Sequence, residues 1–249
     1  MTRRFPMAAA AALGLLALVA GNACRRESPD TLAQARGADT NMIYTAEEFD
    51  EIARTVFRPI YPALARQVKK DYNLSRGVAV DAGCGPGYWA IELAKATELK
   101  VYALDIDPAA VAIAGRNVRE AGLEGRVEPV EGDVQAMPFA DGQADLVISR
   151  GSYLFWPDKV KAFKEIWRIL KPGGVVFVGG GMSTELPLEE RNRIQDLMAE
   201  KGIGPPKEFE VTFEEMGRIL RQAGIPDFRV SHDTGCLCGL WVEFRKPKG

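Results

Sequence analysis

From residue 76 to residue 179 the chain alternates short apolar runs with longer stretches of helical period, and this alternation constrains the fold more than any other feature. The runs at 77–81, 100–105, 127–132, 144–149 and 174–179 are rich in Val, Ile and Leu and have the length of buried strands. Between them, 88–96, 108–121 and 159–170 place apolar residues three and four apart. Parallel strands need a crossover of a dozen or so residues, normally a helix, and the crossover is right-handed. The expectation is therefore an α/β, doubly wound, mostly parallel sheet with helices on both faces. Further helices at 188–201 and 212–223 and strands at 228–232 and 239–244 bring the sheet to seven strands, with an antiparallel C-terminal strand. Ahead of the first strand, Thr45 and Glu48 spell a capping box before the stripe Phe49, Ile52, Ala53 and Val56, and a second helix is expected at 62–72.

The first 24 residues read differently. Arg3 and Arg4 precede an uncharged apolar run at 7–20, then small residues and Cys24, the pattern of a signal peptide or membrane-anchor segment. The run falls short of the roughly 20 apolar residues that span a bilayer. Residues 25–41 are polar and aperiodic, a flexible linker, and 42–249 form one domain with its core at 76–180. This predicts a protein of the cell envelope, with Cys24 a candidate for lipidation; translation starting at Met42 would instead give a cytoplasmic protein. With 32 basic against 34 acidic residues there is no dominant basic field, so nucleic acid is not an expected partner. The four cysteines imply no disulfide framework.

The chemistry begins where Val78-Ala79-Val80-Asp81 runs into Ala82-Gly83-Cys84-Gly85-Pro86-Gly87 and then a helix. Gly83, Gly85 and Gly87 remove Cβ atoms where the backbone must turn sharply and approach a ligand, and the helix that follows offers unpaired N–H groups. A dinucleotide-binding loop would want G-x-G-x-x-G, with glycine at position 88, where this chain has Tyr88.

The spelling Asp81-x-Gly83-x-Gly85-x-Gly87 resembles the first motif of the class I S-adenosylmethionine-dependent methyltransferases, in the style of the quinone and sterol enzymes. Several later segments resemble that family in register. They are Leu104-Asp105, Gly132-Asp133-Val134 with Met137-Pro138-Phe139, the fourth strand ending at Ser149, and Leu170-Lys171-Pro172-Gly173-Gly174. The resemblance spans about 78–178. It implies a Rossmann-like fold, S-adenosylmethionine as cofactor and no metal. It also implies a set of cofactor-binding roles. Asp105 would accept from the ribose hydroxyls, Ile106 and Val134 would pack on adenine, and Asp133 would accept from the adenine amine. Asp81 would contact the cofactor's amino end through water or merely support the loop, and the loop glycines and Ser149 complete the cofactor-binding set. The activity implied is in-line methyl transfer to a small-molecule acceptor. An NAD(P)-dependent oxidoreductase and a non-catalytic cofactor-binding envelope protein are the alternatives.

Acceptor-side candidates follow the fourth strand, because ligands gather at the carboxyl ends of parallel strands. Arg150, Tyr153 and Trp156 either line an acceptor pocket or pack this turn on the next helix. His232, the single histidine, is either an acid–base group or structural. In this family the segments 42–72 and 181–211 would form lids, making Tyr44, Arg58, Tyr61 and Met182 further candidates. The stretch 189–193 reads as a solvated helix face. Cys236 and Cys238 read as core or turn residues, or, with a third thiol, as a soft metalloid site. Acceptor identity and oligomeric state are not legible.

Overall fold

The computed structural model describes residues 43–232 and 239–248. The signal-like segment, the linker, Cys24, Cys236 and Cys238 lie outside these residues. The sheet expectation holds: seven strands, β1 (Arg76–Ala82), β2 (Glu98–Asp105), β3 (Val127–Glu131), β4 (Ala144–Arg150), β5 (Leu170–Gly179), β6 (Arg229–His232) and β7 (Leu240–Arg245), lie in the order β3-β2-β1-β4-β5-β7-β6. All neighbours are parallel except at β7, which runs antiparallel to both β5 and β6.

Side-chain alternation along the strands builds two cores. Ala79, Val101, Ala103, Leu146, Ile148 and Phe177 face α1 (Ala46–Thr55), α2 (Ile60–Tyr72) and α3 (Tyr88–Ala96). Val80, Ala82, Leu104, Val147, Val176 and Val178 face the opposite way. They meet α5 (Lys159–Ile169) and α7 (Phe213–Gln222) through Phe163, Ile166, Met216 and Leu220. The fourth helix, α4 (Pro108–Glu120), is capped by Asp107 and carries proline at its start, and it crosses from β2 to β3. Strand β5 starts earlier than expected because Leu170 pairs with Ala144 before a register shift at the Lys-Pro-Gly-Gly turn.

Helix α6 (Leu188–Glu200) corrects one expectation. Glu190 and Arg193 pair in solvent, but Arg191 turns inward and is buried. Its guanidinium donates to the carbonyls of Leu186 at 2.8 Å and Thr184 at 3.1 Å, closing the turn that enters the helix. The same turn is tied to α2, where the Gln67 side-chain oxygen accepts from Ser183 Oγ and Thr184 N. Among the described residues no helix is long and apolar enough to cross a membrane. Strands β2 and β3 leave β1 on one side and β4 lies on the other, so the strand order reverses at β1, the switch point at whose carboxyl ends open α/β sheets place their ligand crevice.

Candidate functional site

At that crevice the loop after β1 turns through three left-handed glycines, with φ of 75° at Gly83, 53° at Gly85 and 78° at Gly87. A Cβ at Gly83 would stand 2.3 Å from Ser152 Cβ and Oγ, so no larger residue fits. The reason lies in β4. Ser149 at its end is fully buried and shares a 2.6 Å hydrogen bond with Ser152, whose hydroxyl also donates to the Ala82 carbonyl at 2.8 Å. Ser149 therefore sits beneath the loop as part of a pin holding β4 to β1. The loop's outer side meets Phe49 of α1, 3.1 Å from where a Gly85 Cβ would lie.

Two carboxylates floor the crevice. Asp105 ends β2, accepts Gly85 N–H at 2.7 Å and Asp107 N–H at 3.1 Å, and is nearly buried. One strand away, Asp81 accepts from the Ala90 N–H at the start of α3, while its Oδ2 is buried without a hydrogen-bond partner. Burial, then the nearby Asp105 charge, push the Asp81 carboxyl up to about 8. Burial likewise raises Asp105, against the backbone N–H groups that favour its charge. An unpaired buried acceptor beside a second carboxylate is costly in isolation and is relieved by a cationic or multiply donating ligand.

Ile106 follows directly and is 63% exposed, unusual for so large an apolar side chain. Val134 is almost buried beside the turn Val134–Ala136, which Asp133 caps by accepting from Gln135 N at 2.8 Å. The site thus sets one unsatisfied carboxylate oxygen, on Asp81, beside the backbone-held Asp105 and the exposed apolar Ile106.

The acceptor-side candidates separate. Arg150, at the end of β4, donates through Nε to the Gly181 carbonyl at 3.0 Å, and its guanidinium lies 4.4 Å from the Phe57 ring and 5.9 Å from that of Tyr61. Tyr153 is buried with its ring against Gly180, and burial followed by the Glu210 charge pushes its phenol up to about 12. Trp156 takes the packing role, edge-on to Phe163 of α5. His232 sits three strands from β4 on the edge strand, exposed, with its ring against Phe213. Met182 is buried against α2, and Arg58 stands over the Tyr88 ring.

Sequence reasoning missed the clamp around the loop. Asp50 of α1 accepts from Arg116 at 2.7 Å and from Asn117 at 3.2 Å, and Asn117 also donates to the Pro86 carbonyl at 2.9 Å. An asparagine buried in mid-helix was the one available signal, since burial of an amide demands partners. Among the described residues no group of three or more potential metal ligands forms.

A model described as a methyltransferase domain matches residues 79–174. A candidate S-adenosyl-L-methionine-dependent methyltransferase from Methanococcus maripaludis is 35% identical with a TM-score of 0.73, over 86% of this chain and 99% of that one. The chain is a class I S-adenosylmethionine-dependent methyltransferase. The dinucleotide oxidoreductase alternative is set aside with this, in keeping with Tyr88. Sterol 24-C-methyltransferase of Aspergillus fumigatus is 34% identical over 131 residues, 51% of this chain and only 35% of that enzyme's length. Demethylmenaquinone methyltransferase of Staphylococcus aureus is 25% identical over 217 residues, 81% of this chain and 90% of that one.

The crevice fits the cofactor of this family. The orphaned Asp81 oxygen suits an ammonium, the Asp105 carboxylate suits a diol, and the exposed Ile106 with Val134 suits a flat base.

Proposed function

We propose that this methyltransferase acts on a small-molecule acceptor that enters between the β1 loop and the aromatic wall of Phe57, Tyr61 and Tyr153. The observation that carries this reading is Arg150. It is held by Gly181 and by two aromatic faces at the carboxyl end of β4, across from the glycine loop. The relatives named for sterol and demethylmenaquinone methylation support a small organic acceptor.

In this reading Asp105 holds the ribose hydroxyls, Asp81 the amino group, Gly83, Gly85 and Gly87 let the backbone approach the amino-acid end, and Ile106 and Val134 sandwich the base. Asp133 accepts from the adenine amine. When bound, S-adenosylmethionine supplies a methyl group already activated on a sulfonium. The chain's own task is then to align the acceptor and exclude water. Tyr153, kept protonated, orients the acceptor as a hydrogen-bond donor. His232, on the edge strand, serves packing against Phe213.

The test is cofactor turnover with a panel of quinols, sterols and phenols, using Asp105→Ala as blank. Label transferred to any small molecule supports the reading, and label confined to protein or nucleic acid overturns it. Export through residues 1–24 is part of the same proposal, supported by Arg3, Arg4 and the apolar run at 7–20. Mass spectrometry of the mature N-terminus decides it: processing near Cys24 supports export, and an unprocessed or Met42 start refutes it.

A further inference from the structure

Strand β5 runs out through Gly179 and Gly180, and the fold accounts for only the first of them as a glycine. A Cβ at Gly179 would stand 2.2 Å from the Leu240 carbonyl oxygen and 2.4 Å from the Trp241 ring, so β7 leaves no room for one. Gly180 is different. Its N–H donates to the same Leu240 carbonyl at 3.0 Å, and its φ lies outside the left-handed range. Among the described residues a Cβ there would meet only Tyr153, at 3.5 Å from Cε1 and 3.8 Å from the phenol oxygen, which is ordinary van der Waals contact. Neither backbone nor neighbours call for a glycine, yet a glycine costs conformational freedom; close approach of a ligand is the remaining physical reason for one. Gly180 is half-buried at the carboxyl end of β5, the same end of the parallel strands as the glycine loop.

The surroundings of that gap are aromatic. Tyr153 is buried, and burial followed by the Glu210 charge pushes its phenol up to about 12, so it keeps its proton and donates. Phe155 ends the same turn and meets Phe209, of the turn Lys207–Phe209, with ring centroids 5.3 Å apart and both rings half-buried. Glu210 follows Phe209 and is exposed.

We propose that Gly180 decides which acceptors fit: its missing side chain is the room beside Tyr153 taken by a flat apolar ring of an uncharged acceptor, with Phe155 and Phe209 as the next wall. This rests on the methyltransferase reading and adds the size and charge of the acceptor. A ring in that room gains apolar burial and edge contacts with aromatic faces, both of which a side chain at position 180 would take from it. A carboxylate on the acceptor would be brought toward the Glu210 charge and repelled.

Calorimetry on the full chain, saturated with S-adenosylhomocysteine, tests this without a known acceptor. The probes are 2-naphthol, flat and uncharged, and 2-naphthoate, its charged counterpart. Wild type is expected to bind 2-naphthol about tenfold or more tighter than 2-naphthoate. Gly180→Leu fills the room and is expected to weaken 2-naphthol about tenfold or more, and Gly180→Ala about threefold, while S-adenosylhomocysteine affinity stays within about twofold. Phe209→Ala, on the next wall, is expected to lose about three- to tenfold for 2-naphthol. Should Gly180→Leu not fold, Gly180→Ala and Phe209→Ala decide the matter, and 2-naphthol affinity unchanged in both refutes the pocket. With S-adenosylhomocysteine bound by wild type, the inference alone is overturned by 2-naphthol that wild type does not bind, that a folded Gly180→Leu holds as tightly, or that binds no better than 2-naphthoate. Wild type failing to bind S-adenosylhomocysteine overturns the methyltransferase reading and the pocket together.

Discussion

The two sides of the crevice are built by opposite means. On the cofactor side, the β1 loop, Asp105 and the Val134 turn are fixed by backbone geometry and by contacts within a few strands, so each position tolerates few residues. On the proposed acceptor side, Phe57 and Tyr61 converge with Arg150 and Tyr153 from two segments far apart in sequence, held by side-chain packing. Local backbone constraint leaves a spelling that can be read in a sequence, whereas convergence of remote side chains does not.

The sharpest break in this comparison is Gly83→Val. Its Cβ would enter the Ser149–Ser152 pin and its φ would be strained, so destabilisation of about 2–4 kcal/mol is expected, together with loss of cofactor binding. Chemical denaturation and calorimetry measure both. Next in size is Asp105→Ala, which removes the proposed ribose acceptor and the partner of Gly85 N–H. A cofactor affinity lower by about 1–3 kcal/mol is expected, and unchanged affinity would refute the role.

Asp81→Asn sharpens the electrostatic half. In the folded state this carboxyl titrates at about 8, above its ordinary 3.8, so the native state binds the extra proton between those values. Wild-type stability therefore falls as pH rises from about 4 to 8. The Asn variant loses that slope, and its gain in Tm over wild type should be larger at pH 9 than at pH 5. A cationic amine placed against Asp81 also releases its proton, so cofactor binding near pH 6.5 should depend on the ionisation enthalpy of the buffer. That dependence should vanish in Asp81→Asn.

A smaller effect is expected for Tyr153→Phe, which keeps the buried ring and removes a protonated phenol. KM for the acceptor rises severalfold while the cofactor Kd stays within twofold. The smallest is His232→Ala, with cofactor binding unchanged and stability lowered by no more than about 1 kcal/mol through the lost contact with Phe213. A larger loss of turnover would return His232 to the chemistry.

The strand pattern was legible because every central strand is buried on both faces and so reads as an unbroken apolar run. Asp81, Asp105 and the three glycines were legible because each sits at a strand end or turn whose backbone dictates the residue. Phe57 carried no local signal; its significance appears only when α1 and α2 bring it to Arg150. Arg191 looked like one of several solvated charges, and only the turn at 183–187 gives its guanidinium carbonyls to satisfy. Ser149 was read as a ligand contact from its place at a strand end, and its hydrogen bond to Ser152 under the loop carried no signal in the sequence.

The grip of α1 on the β1 loop depends in part on Asp50 and the half-exposed Arg116, an attraction that dissolved ions weaken. Phe49 rides on that helix and roofs Gly85. Salt therefore reaches the glycine loop proposed to hold the cofactor's amino-acid end through a latch some 66 residues apart in the chain, one that touches neither Asp81 nor Asp105.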